Sequence, residues 1–119
     1  MSDKNNLFLN HILDSCAHII EFTKIVDFET FKKTRLIQSA VIRELEIIGE
    51  ATKSLTDDLR KTFRSIPWLK IAGMRDKLIH GYFIVDLKEL WNTVKKDIST
   101  LKNSIEKIIR QKDKDRNND

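Results

Sequence analysis

Residues 66–91, IPWLKIAGMRDKLIHGYFIVDLKELW, read as a helix, a stop and the start of another helix. Pro67 biases Ile66 toward an extended backbone and suits the first position of a helix running from 68 to about 80. Gly81 is placed to end that helix, because glycine readily takes the left-handed conformation just past a helix C-terminus. Asp86, with Glu89 three residues on, resembles a capping box. It would open a last helix whose Leu87, Leu90, Trp91, Val94, Ile98, Leu101, Ile105, Ile108 and Ile109 form a broad apolar face.

The same periodicity continues upstream. Leu9, Ile12, Leu13, Cys16, Ile19, Ile20 and Thr23 recur at spacings of three and four, predicting a helix over about 5–25. Asp27 can cap a long second helix carrying Phe31, Ile37, Val41, Leu45, Ile48, Thr52 and Leu55. Gly49 inside it costs about 1 kcal/mol relative to alanine, which close approach of another backbone would offset. Thr56 followed by Asp57 and Asp58 starts a short turn through about Phe63. With one proline and three glycines in 119 residues, 40% hydrophobic and 34% charged, the chain has the balance of a helical bundle. The expected fold is an all-α, up-and-down antiparallel bundle of four to five helices in one domain over 1–111. Residues 112–119, KDKDRNND, have no apolar member and are expected to form a disordered charged tail.

The lone Cys16 falls in an apolar helical stripe and reads as a small core residue, and the default setting is intracellular and cytoplasmic. No basic-then-apolar leader opens the chain and no run is long enough to span a bilayer, so no membrane association is expected. A net charge of +4 mildly favours a polyanionic partner. No phosphate-cradling glycine loop, zinc-finger spacing or nucleophilic serine motif is present. His11 and His18 share a helix face but lack a clear third ligand, so neither a metal nor a cofactor is expected. Trp68 and Trp91 fall at apolar positions and read as core or interface anchors. Lys95, Lys96 and the basic residues of the tail could attract an RNA backbone, although solvated charge is the commoner role.

The densest chemistry lies at Arg75, Asp76, His80 and Tyr82. A guanidinium binds phosphate through a planar fork, an imidazole carries a proton near neutral pH, and a phenol can accept a transferred group. RNA supplies its own nucleophile, the 2′-hydroxyl. Cleavage therefore needs a proton acceptor, a cation for the developing phosphorane charge and a proton for the leaving 5′-oxygen, with no obligatory metal. His80 is the candidate acid or base, Arg75 the phosphate clamp, and Asp76 a group that could orient one of them. At 100° per residue Arg75 and His80 lie about 140° apart, so one intact helix does not converge the motif. Either the chain turns at Gly81, or a second protomer completes the site across a twofold axis. Taken singly, each residue has a plainer role: Arg75 and Asp76 in surface ion pairs, His80 at a helix end, Tyr82 half-buried beside Phe83, Glu50 as a solvated helix residue.

Together these residues resemble the HEPN superfamily, specifically its HepT-like branch, which carries R-x4-H-x-Y. Arg75, His80 and Tyr82 match that pattern, Asp76 fills the polar position after the arginine, and IIGEATKSL, with Gly49 and Glu50, is similar upstream. The resemblance covers about 12–109. It implies a homodimeric helical bundle acting as a metal-independent endoribonuclease on tRNA or mRNA, the toxin of a type VII-like toxin–antitoxin pair. It further implies a minimal nucleotidyltransferase antitoxin that transfers AMP to the motif tyrosine, here Tyr82. The alternative is a non-catalytic helical dimer that uses the same cleft to bind a nucleotide or the nucleotidyltransferase.

Overall fold

The computed structural model describes residues 3–79 and 86–117, with the side chains of Asp3, Arg75, Leu78, Ile79 and Asn117 outside that set. Helix α1, Asp3–Thr23, places Leu9, Ile12, Cys16 and Ile19 in the core, the face its periodicity predicts. Its last turn is closed by two bonds: the Thr23 hydroxyl donates to the Ile19 carbonyl at 2.8 Å, and Lys95 Nζ donates to the Thr23 carbonyl at 2.9 Å.

The single long second helix expected from the sequence is two. Helix α2, Phe28–Lys33, is capped by Asp27, whose carboxylate accepts from the Thr30 N–H at 2.8 Å. Helix α3, Arg35–Ser54, starts after Thr34, which is extended at φ −113° and ψ 92°. Geometry explains the break, since on a continuous helix Phe31 would point about 80° away from Val41. Turning α2 off the axis of α3 buries Phe31 with its ring centroid 4.9 Å from that of Trp91, while Val41, Leu45 and Ile48 are also fully buried. The junction is bridged by Gln38 Nε2, which donates to the Phe31 carbonyl at 2.8 Å and the Lys32 carbonyl at 3.1 Å.

Helix α4, Asp57–Thr62, follows its expected Thr56 cap. Helix α5, Trp68–Ile79, receives Pro67 one position earlier than expected: the Ile71 N–H donates to the Pro67 carbonyl at 3.1 Å, so the proline flanks the helix instead of opening it. Trp68 and Ile71 bury the inner face, and the indole N–H of Trp68 donates to the Phe63 carbonyl at 3.1 Å.

The last helix is also subdivided. Helix α6, Leu87–Asn92, is capped by Asp86, which accepts from the Glu89 N–H at 2.9 Å. A π-helical turn over Thr93–Asp97 then leads into α7, Ile98–Asn117. In this turn Thr93 and Val94 are buried together and Lys95 reaches α1, its ammonium also 4.8 Å from the Trp91 ring centroid. Helix α7 runs on to Asn117, so the segment from Lys112 that the composition marks as a tail is helical through that residue. It is supported there by a Gln111–Asp115 hydrogen bond of 3.1 Å. Same-turn polar pairs hold a helix that buries nothing.

The long helices stack side by side in the order α5, α3, α1, α7. Contacts from Asn5 to Thr56 and from His18 to Glu44 run α1 antiparallel to α3, and the Lys95 bond to Thr23 sets the last helical stretch antiparallel to α1. The described residues thus form an all-α up-and-down bundle. None of its helices is long and apolar enough to cross a membrane. The free edges of α5 and α7 leave a groove between them, lined by Ile66, Lys70, Met74, Asp97 and Leu101 among others.

Candidate active site

Helix α5 carries the first motif residue, Arg75. Its packed face, Trp68 and Ile71, holds it against α3, and Arg75 lies one turn beyond Ile71. The Arg75 side chain, His80, Gly81 and Tyr82 lie outside the described residues, so of the expected site only Asp76 is placed in full.

Two ion pairs tie this part of α5 to its neighbours. Asp76 Oδ1 is 3.5 Å from Lys53 Nζ on α3, and Lys77 Nζ is 3.5 Å from Glu89 Oε1 on α6. Arg75 is therefore followed in the chain by two residues that pair with different helices, about 100° apart around α5. The Asp76 side chain remains 62% exposed and that of Lys53 41%, so their attraction is screened and serves orientation more than stability. Glu89 has a second role beside its backbone in the Asp86 cap, since its carboxylate faces Lys77.

Lys53 and Lys77 were not given a role by the sequence, and Glu89 was read only as part of the Asp86 capping box. The ion pairs themselves join separate helices, so no local pattern marks them. Lys95 and Lys96, a single basic pair in sequence, separate in space. Lys95 is committed to the Thr23 carbonyl, while Lys96 is exposed and lines a shallow cavity with Met74, Lys77 and Glu89. Glu50, set aside as a solvated residue, is exposed and borders a groove between α1 and α3 with His11, Arg43 and Glu46. His18 faces Glu44, Nδ1 to Oε1 at 3.3 Å, and stacks on Phe22.

Cations slightly outnumber carboxylates here. Lysines 53, 70, 77 and 96 gather around the motif half of α5 and its groove, accompanied by fewer carboxylates, those of Asp76, Glu89 and Asp97.

Comparison with known proteins identifies the family. The family model described as "Ribonuclease HepT-like" matches residues 12–108. The "Probable ribonuclease HepT" of Thermococcus cleftensis is 48% identical over 101 residues, which are 85% of this chain and 92% of that protein. A protein named "Putative RNase" from Caldanaerobacter subterraneus subsp. tengcongensis is 45% identical over 107 residues, covering 90% of this chain and 95% of the relative. A "Gamma-glutamylcyclotransferase and putative RNase" of Methanocaldococcus jannaschii is 48% identical over 112 residues, 94% of this chain but 50% of its own length, so the chain spans half of that protein. No solved structure matches the chain. With a family match across most of its length and relatives this similar along nearly their whole length, the chain belongs to the ribonuclease HepT-like family of the HEPN superfamily.

Proposed function

We propose that this chain is a metal-independent endoribonuclease that cleaves tRNA or mRNA as the toxin of a type VII-like toxin–antitoxin pair. The observation that carries the reading is the match to the ribonuclease family over 12–108, which contains Arg75, His80 and Tyr82 in the R-x4-H-x-Y arrangement. The lysine-rich surroundings of α5 support a polyanionic substrate.

In this mechanism His80 takes the proton from the 2′-hydroxyl, whose oxygen attacks the adjacent phosphorus, and an imidazolium returns a proton to the departing 5′-oxygen. Arg75 clamps the non-bridging oxygens as charge builds on them. Asp76, held toward α3 by Lys53, is a positioning residue for this end of α5. The products are a 2′,3′-cyclic phosphate and a 5′-hydroxyl. Two copies pair with their motifs facing one another. A minimal nucleotidyltransferase acts as the antitoxin by transferring AMP from ATP to the Tyr82 hydroxyl with release of pyrophosphate, which blocks the cleft with a bulky anion.

The test is incubation of the purified protein with total RNA in EDTA, beside Arg75→Ala and His80→Ala variants and a sample pre-treated with a minimal nucleotidyltransferase and ATP. The parent cleaves, each variant loses about 100-fold or more in rate, and the treated sample is inactive with one or more AMP units on Tyr82. Intact RNA with the parent, together with tight binding of the nucleotidyltransferase, would instead establish the non-catalytic dimer.

A further inference from the structure

Helix α7 carries a basic row that the cleavage mechanism does not use. Lys96, Thr100, Asn103, Lys107, Arg110 and Lys114 are all exposed and follow one another at spacings of four, three, four, three and four. At 100° per residue the five within α7 fall in an arc of about 80°. The acidic residues of the same stretch, Asp97, Glu106, Asp113 and Asp115, fall outside that arc. Of these, Glu106 is bound to Lys102 at 3.3 Å and Asp115 to Gln111 at 3.1 Å. Among the described residues Lys96, Lys107, Arg110 and Lys114 take part in no ion pair, although acids stand on both flanks. The opposite face of the helix, Ile98, Leu101, Ile105 and Ile108, is buried in the bundle, so the row is turned outward.

The row also begins beside the helix that carries Arg75. Lys96 shares its shallow cavity with Lys70, Met74 and Lys77, which form the groove face of α5, about 100° or more around the helix from Arg75. From there the cations extend roughly 27 Å to Lys114 at 1.5 Å per residue. That span faces up to about eight phosphates of one strand at 3.4 Å or more each. In the interval between cations the Asn103 amide offers a group that also bonds phosphate or sugar oxygens, while the Thr100 hydroxyl donates to the Lys96 carbonyl at 3.2 Å.

We infer that the outward face of α7 is a docking rail for the sugar-phosphate backbone of single-stranded RNA, leading the substrate away from the Arg75 end of α5. The inference rests on the ribonuclease reading for its choice of polyanion, and on charge complementarity and continuity with the α5 cavity for its location. The rail reads no sequence; it adds affinity and orients the strand.

The experiment compares the parent with a Lys107→Gln, Arg110→Gln, Lys114→Gln triple variant, whose changes touch only exposed side chains. Binding of a fluorescent, fully 2′-O-methylated single-stranded RNA long enough to span the row is followed by anisotropy over a salt series; methylation removes the nucleophile, so binding is read without cleavage. The variant binds about tenfold or more weakly near physiological salt, and the slope of log K against log salt becomes shallower by about 2, from three lost phosphate contacts at roughly 0.7 each. Cleavage of a dinucleotide, too short to reach Lys107, is the same in both proteins. Equal affinities and equal slopes overturn the rail even if the dinucleotide is cut. A weaker, shallower variant beside a parent that cuts nothing sustains the rail while refuting the ribonuclease reading. Displacement of the RNA by poly-glutamate of equal charge as readily as by unlabelled RNA would overturn the assignment to nucleic acid in favour of an acidic protein.

Discussion

Cys16 sits at zero exposure in the middle of α1, and burial pushes its thiol from 9.0 up to about 12, with the Lys102 ammonium pulling slightly the other way. The raised value means that the folded chain keeps a proton the unfolded chain gives up. The contribution is fully present below pH 9 and is lost progressively as pH rises toward 12, at up to about 1.4 kcal/mol per pH unit. In urea melts at stepped pH, the stability gap between the parent and Cys16→Ala therefore narrows above pH 9; a constant gap would refute the assignment. The burial of Cys16 was legible because its neighbours at spacings of three and four are apolar. The caps at Asp27, Thr56 and Asp86 were legible for a related reason: each side chain accepts from the N–H three residues on, at Thr30, Leu59 and Glu89. At Asp27 the hydrogen bonds from Thr30 hold the carboxyl below its ordinary value. Lys95 is exposed, as a surface cation would be, but its bond to the Thr23 carbonyl could not be read because that residue is 72 positions away and nothing local distinguishes Lys95 from Lys96.

Between elements, the bond that closes the bundle at one end is the reciprocal pair of Asn5 and Thr56. Asn5 Nδ2 donates to the Thr56 hydroxyl at 2.9 Å and its Oδ1 accepts from the Thr56 N–H at 3.0 Å, with Asn5 only 5% exposed. The same hydroxyl caps α4, so Asn5 ties the first turn of α1 to the segment that leads into α5. Asn5→Ala leaves the Thr56 N–H without its partner and costs about 1–3 kcal/mol. The midpoint of chemical denaturation falls with little change in slope, whereas a loss below about 0.5 kcal/mol would show that water replaces the amide. Periodicity announced α1, α3 and α7, since each buries one stripe, while Pro67 and Gly81 announced α5. It could not announce the break at Thr34. Phe31 counts as apolar in any helical reading, and only its 4.9 Å contact with Trp91 reveals that it belongs to a different axis from Val41. The π-helical turn at Thr93–Asp97 was hidden for the same reason, because Leu90, Val94 and Ile98 keep an unbroken four-residue spacing through it.

At the scale of the whole molecule, the stack of α5, α3, α1 and α7 supports the motif helix on α3 and leaves a groove on its other side. The family was legible in the sequence because R-x4-H-x-Y, the preceding Pro-Trp and the upstream Gly-Glu are local strings. How the two reacting groups meet was not, because that depends on which chain supplies each. At helical spacing positions 75 and 80 lie about 140° apart, too far round one cylinder to grip the same phosphate. In the proposed dimer a composite site takes Arg75 from one protomer and His80 from its partner, and this has a signature that an intrachain site lacks. Arg75→Ala and His80→Ala proteins, each inactive alone, are unfolded together, refolded and assayed in EDTA. Random pairing makes about half the dimers mixed, and each mixed dimer holds one intact site of two, so about a quarter of the parent activity returns. If each chain supplies both groups, every mixed dimer has only damaged sites and no activity returns. A mixture as inactive as its components, with exchange of subunits verified by tagging, would therefore place the arginine and histidine of each site on one chain, and the turn after the helix would have to bring them together.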